Sequence, residues 1–187
     1  MMSIESHRLA QAIYVESPNQ SERPAEAKIS LLVIHNISLP PGEFGSDAIL
    51  QLFCNTLNFS AHPYFCALEG LRVSAHVLIR RNGDVIQFVP FNRKAWHAGK
   101  SSFEGREGCN DFSIGVELEG TDDDPFTDDQ YAALTEITHD LLAAYSSLTA
   151  ARIVGHSDIA PGRKSDPGPC FDWERYRCSL SAGTTIR

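Results

Sequence analysis

The chain has 187 residues, 42% of them hydrophobic and 21% charged, with a formal net charge of −8. That fits one soluble globular domain able to bury roughly 70% of its unfolded surface. The acidic balance excludes a nucleic-acid surface, which needs clustered Lys and Arg against phosphate. No run approaches the ~18 apolar residues of a membrane span, and the start Met-Met-Ser-Ile-Glu-Ser-His-Arg lacks the basic and apolar segments of an export signal. A cytoplasmic protein with no membrane contact is expected.

In chain order, residues 1–27 are polar and Pro-punctuated and read as an arm packed on the domain. The apolar run Leu31-Leu-Val-Ile34 predicts a buried strand that ends at His35. Ser46 is placed to cap a short helix turning Ile49, Leu52 and Phe53 inward. Val73, Ala75, Val77 and Ile79 alternate with other residues, predicting a half-buried strand; Asn82-Gly83 then marks a tight hairpin into Val85-Ile-Gln-Phe-Val89. Ser113-Ile-Gly-Val-Glu-Leu-Glu119 alternates again, so Glu117 and Glu119 share one strand face. The acid at Asp122, Asp123, Asp124, Asp128 and Asp129 reads as a solvated loop and helix start. Thr127 with Gln130 resembles a capping box, and helical spacing continues to about Ser147. A second short apolar run, Ile153-Val154, leads to His156, and a Pro/Gly-stiffened loop carries Lys164 and Asp166. From Ser179 the chain reads as a frayed tail. Strands alternating with helices, a hairpin included, predict an α/β single domain, a central mixed β-sheet flanked by helices, over residues 28–178. The five cysteines are odd in number and show no CxxC spacing, so free thiols are expected, Cys170 near Asp166 included.

Two imidazoles at strand ends, His35 and His156, plus the loop carboxylate Asp166 would give three protein ligands and leave a fourth position for water. That composition suits a catalytic zinc, which acidifies water and polarises a carbonyl. Amide hydrolysis also needs a proton carrier, for which Glu117 is a candidate, and a cation for the oxyanion, for which Lys164 is placed. Each residue has a plainer reading. Either histidine could be a hydrogen-bonded residue at a strand end, the two glutamates the solvent face of an edge strand, and Lys164 an ordinary loop lysine. The residues alone reach a metallohydrolase and no further.

The segments Leu31-Leu-Val-Ile-His-Asn-Ile-Ser-Leu-Pro-Pro-Gly42, Ser74-Ala-His-Val-Leu-Ile79, Ala95-Trp-His-Ala-Gly99, Cys109 to Asp122 and Gly155 to Gly168 together resemble the AmpD branch of the zinc N-acetylmuramoyl-L-alanine amidases. The motifs occur in order and cover about residues 28 to 178. The resemblance implies a mixed sheet with one zinc held by His35, His156 and Asp166, Glu117 as the catalytic glutamate and Lys164 as the oxyanion-stabilising lysine. It implies hydrolysis of the amide joining the lactyl group of muramic acid to L-alanine, preferentially on 1,6-anhydro sugars recycled in the cytoplasm. A monomer without nucleic-acid or membrane partners is expected. Asn36, Ala95, Trp96 and His97 match cleft-lining segments, and Arg72 is a candidate for a stem-peptide carboxylate. His76 is either a cleft residue or a buried hydrogen-bonded one, and Gly108 stands where some relatives carry a larger or charged side chain. A wall-lytic amidase and a non-catalytic peptidoglycan-binding module are the alternatives.

Overall fold

The computed structural model describes residues 3–182. Its main sheet has six strands: β1 (Ile13–Tyr14), β2 (Leu31–Ile37), β3 (Val77–Ile79), β4 (Val85–Gln87), β5 (Ser113–Glu119) and β6 (Ile153–Gly155). They lie in the order β6-β2-β5-β3-β4-β1. The run β6, β2, β5, β3 is parallel, β4 is antiparallel to β3, and β1 is parallel to β4. The sheet is mixed, as the element pattern predicts. Five helices accompany it among the described residues: α1 (Ala48–Phe53), α2 (Pro63–Cys66), α3 (Asp128–Ala144), α4 (His156–Ile159) and α5 (Trp173–Ala182).

Strand periodicity decides which side chains meet. On one face, Leu32 and Ile34 of β2 and Ile114, Val116 and Leu118 of β5 form a core with Leu134, Ile137 and Leu141 of α3. On the other, Leu31 and Val33 pack with Ala98, Phe112 and Ile159, and α1 packs with Leu78, Ile86 and Phe88. A period of two therefore sends His35, Ser113, Gly115, Glu117 and Glu119 to the face away from α3. β5 is a central strand buried along its whole length, so the edge-strand reading of the two glutamates falls.

The hairpin at Asn82-Gly83 forms as expected, with Gly83 at φ +84. The capping box of α3 is complete: Gln130 N–H donates to Thr127 Oγ1 at 3.1 Å, and Thr127 N–H to Gln130 Oε1 at 3.1 Å. Gln130 Nε2 also donates to the carbonyls of Ile79 and Glu119, tying the helix start to the ends of β3 and β5.

Several boundaries differ from the sequence expectation. β3 starts at Val77 rather than Val73, because the N–H of Gly115 goes to the His76 ring and that of Ser74 to the Trp96 carbonyl. α3 stops at Ala144, short of Ser147, where Tyr145 turns extended. Ser46 accepts from Ala48 N–H at 3.3 Å, yet the cap position itself is Asp47, which makes no side-chain cap bond. The expected tail from Ser179 is helical to Ala182, held by the Ser179–Thr135 hydroxyl contact at 2.7 Å and by Leu180 in the core. Its last residues, 183–187, lie outside the described part. Arm residues Ile13–Tyr14 supply the edge strand β1, and Leu9 reaches the core.

Candidate metal centre and active-site cleft

Three side chains from three places in the chain converge at one end of the parallel strands. His35 comes from β2, His156 opens α4 directly after β6, and Asp166 sits in the following loop. His35 Nδ1 and His156 Nδ1 are 3.0 Å apart, and both lie against one Asp166 oxygen, Oδ2, at 2.9 and 3.0 Å. Two ring nitrogens cannot share that small triangle comfortably with protons on both; the arrangement suits a cation at its centre. Among the described residues these three form the group able to hold a metal ion. Cys170 is not part of it. Gly155 makes the convergence sterically open, since a Cβ there would stand 2.8 Å from Pro167 Cδ. Asn36 clamps the Asp166 loop, its amide nitrogen donating to Asp122 Oδ1 at 2.6 Å and to the Pro167 carbonyl at 3.1 Å.

The outer nitrogens of both histidines are also committed. His156 Nε2 lies 3.1 Å from the Ala98 carbonyl oxygen, and His35 Nε2 lies 2.9 Å from His97 Nδ1. Each inner nitrogen can then present a lone pair, the usual arrangement of metal-ligating imidazoles. Burial keeps His35 neutral, its pKa lowered to about 4 although Asp166 pulls the other way. Burial likewise holds His76 and His97 well below the ordinary imidazole value. Burial opposes the charge of Asp166 as well, but the two imidazoles against its Oδ2 outweigh it and keep the carboxyl far below the usual range. The residues fit a divalent ion of borderline softness bound by two nitrogens and one oxygen, which is a zinc-like donor set.

The two glutamates of β5 occupy different environments. Glu117 is the register partner of His35. Its Oε2 is buried with no hydrogen-bond partner, and burial, reinforced by Asp166, pushes its carboxyl well above the usual value while Lys164 pulls it down. Glu119 instead accepts from Gly45 N–H at 2.6 Å and Arg81 N–H at 3.2 Å, and it anchors those loops. Lys164 is exposed at the mouth of the same cleft.

That cleft has a volume of about 660 Å³ and is lined by His35, Asn36, Trp96, His97, Glu117, His156, Lys164 and Asp166 together with apolar residues such as Leu39, Tyr64, Leu68 and Leu71. Two sequence expectations do not meet it. Ala95 is fully buried in the α1-side core, because its β-strand position turns its methyl inward, and Arg72 is exposed but outside the lining. His76 is wholly buried beneath the cleft, accepting from Gly115 N–H at 3.0 Å. Gly108 has φ +71, a left-handed conformation that favours glycine.

Sequence reading missed Arg23, Asn110 and Ser113. Arg23 runs under the histidines and donates to the carbonyls of Phe91, Asn110, Asp111 and Ser113, its pKa lowered by burial to about 10. Nothing in the polar arm signals this. One signal was available: Gly115 in mid-strand marks a close approach, here the His97 ring.

Residues 25–169 match the family model described as N-acetylmuramoyl-L-alanine amidase. The chain belongs to that amidase family. A relative from Enterobacter cloacae, 1,6-anhydro-N-acetylmuramyl-L-alanine amidase AmpD, is 52% identical over 183 residues, 98% of this chain and 97% of its own. A crystal structure of a selenomethionine AmpD derivative superposes with a TM-score of 0.93 at 54% identity, covering 96% of this amidase and 99% of that chain. The Escherichia coli amidase AmiD, solved with the substrate anhydro-N-acetylmuramic acid-L-Ala-D-γ-Glu-L-Lys, gives 0.59 at 30% identity over 86% of this chain and 65% of its own. The amidase is thus an amide hydrolase with the mixed-sheet fold expected from its sequence. No helix among the described residues is long and apolar enough to cross a membrane.

Proposed function

We propose that this amidase hydrolyses the amide between the lactyl group of 1,6-anhydro-N-acetylmuramic acid and L-alanine of the stem peptide, as a zinc-dependent, monomeric enzyme of cytoplasmic peptidoglycan recycling. The observation that carries the reading is the meeting of His35 Nδ1, His156 Nδ1 and Asp166 Oδ2 within 3.0 Å, beside the unpartnered Glu117 Oε2 in one cleft. The relatives named for this reaction, and the neighbour solved with an anhydromuropeptide, support the choice of substrate.

His35, His156 and Asp166 would hold the zinc, which when bound supplies a Lewis acid that polarises the carbonyl and acidifies water. Glu117, a carboxyl whose pKa lies well above the usual value, takes a proton from the attacking water and passes it to the departing L-alanine nitrogen. Lys164 reaches the same cleft and offsets charge developing on the carbonyl oxygen. Trp96 and the apolar wall cover the less polar face of the bicyclic sugar, and Asn36 keeps the Asp166 loop in place.

The test is product analysis by mass spectrometry after the zinc-loaded protein meets an equimolar mixture of anhydromuramyl-tripeptide and its non-anhydro counterpart. Free tripeptide released chiefly from the anhydro sugar is the expected result. Equal cleavage of both would replace the recycling role by general wall hydrolysis, and no cleavage would leave a binding module.

A further inference from the structure

We infer that the dipeptide His97–Ala98 is a bracket that orients both metal-ligating histidines, with His97 a positioning residue for His35 rather than a substrate contact. The inference deepens the metal-centre reading of the cleft and rests on it.

The bracket is fixed from behind. Asn110 Oδ1 accepts from both His97 N–H and Ala98 N–H, at 3.1 and 2.8 Å, and Arg163 Nη2 donates to the Ala98 carbonyl at 2.7 Å. From the front it reaches each ligand once. The Ala98 carbonyl stands 3.1 Å from His156 Nε2, and His97 Nδ1 stands 2.9 Å from His35 Nε2. A carbonyl can only accept, so the proton of His156 sits on Nε2 and its Nδ1 lone pair faces Asp166.

For His35 the partner is another imidazole, and its orientation must be set in turn. His97 Nε2 lies 3.0 Å from Ser113 Oγ. With His97 Nε2–H donating to that hydroxyl, His97 Nδ1 accepts from His35 Nε2–H, and His35 Nδ1 is left as a ligand atom. Sterics hold the column in line. A Cβ on Gly115 would stand 2.4 Å from His97 Cγ, so the ring occupies the space that a side chain on the central strand would take. Edge contacts to His35 (centroids 5.0 Å, 84°) and to His76 (5.8 Å, 67°) close its remaining sides. His97 keeps only 9% of its surface, and both of its ring nitrogens are engaged within the protein.

The test compares His97→Leu with His97→Asn, side chains of similar size of which only asparagine offers an acceptor near the former Nδ1 position. Zinc affinity is read by competition with a chromophoric chelator. The leucine variant is expected to bind zinc about 10- to 100-fold more weakly, and the asparagine variant to recover most of that loss. A leucine variant that binds as tightly as the unaltered protein overturns the inference. A second readout needs no variant: in zinc-loaded, ¹⁵N-labelled protein a scalar coupling across the His35 Nε2–H···Nδ1 His97 hydrogen bond is expected, and its absence overturns the inference even where the leucine variant fails to fold. An unaltered protein that takes up no zinc would instead overturn the metal-centre reading.

Discussion

On the floor of the cleft, His35, His97 and His156 are buried and each has both ring nitrogens within 3.1 Å of a partner. On its wall, Tyr64 and Leu71 leave 42% and 41% of their surface in solvent and make contact through apolar atoms. The floor fixes direction, atom by atom, at the cost of burying polar groups that must all be satisfied. The wall fixes only shape and area. On the proposed function, chemistry belongs to the floor and sugar binding to the wall, and substitutions in the two should separate kcat from KM.

Glu117→Gln should give the largest effect: a fall of about 10² to 10⁴ in kcat with zinc content retained, since only the proton carrier is lost. Glu119→Gln, two residues away on the same face, should instead lower the melting temperature and leave the activity of folded molecules nearly intact, because its bonds hold Gly45 and Arg81. Steady-state kinetics beside a thermal melt separates them; equal kinetic damage from both would collapse the distinction. Lys164→Ala should keep zinc and lose about 10² to 10³ in rate. Unchanged turnover would remove Lys164 from the reaction.

The floor also sets a pH dependence of stability in the zinc-free protein. His35, with a pKa of about 4, and His76 and His97, well below 6.5, stay neutral in the fold while unfolded imidazoles take up protons below about pH 6.5. Glu117 works the other way, binding one extra proton in the fold above its ordinary 4.5. Three imidazoles outweigh the one carboxyl, so the unfolded state binds more protons, and stability rises with pH between about 4.5 and 6.5 and is lost on acidification. Urea melts across that range that show a flat or inverted slope would contradict the neutral floor. The smallest effect belongs to the wall. Leu71→Ser should raise KM by up to about tenfold, roughly the value of one half-exposed aliphatic contact, and leave kcat alone.

The same contrast explains what was legible in the sequence. The apolar run before His35, the alternation around Glu117 and the capping box of Thr127 and Gln130 are local patterns, and local patterns set strand faces and helix starts. Motif resemblance then named His35, His156, Asp166, Glu117 and Lys164, which the fold brings to one cleft. A motif match does not say which way a strand residue faces, and Ala95 turns away from the cleft; the adjacent Leu71 rather than Arg72 lines it. Arg23 could not be found by pattern, since the carbonyls it meets lie far along the chain, that of Ser113 90 positions away, and Asn110 and Ser113 act through His97–Ala98, whose loop carries no periodic signal.

On the proposed mechanism one metal ion at His35, His156 and Asp166 is required for amide cleavage, and titrating zinc into chelator-treated protein while following release of tripeptide from anhydromuramyl-tripeptide tests that requirement. Activity should start near zero, rise in proportion to added zinc and break sharply at one equivalent per chain, with Asp166→Asn remaining inactive at that point. Full activity before zinc is added, or no break at one equivalent, would contradict it.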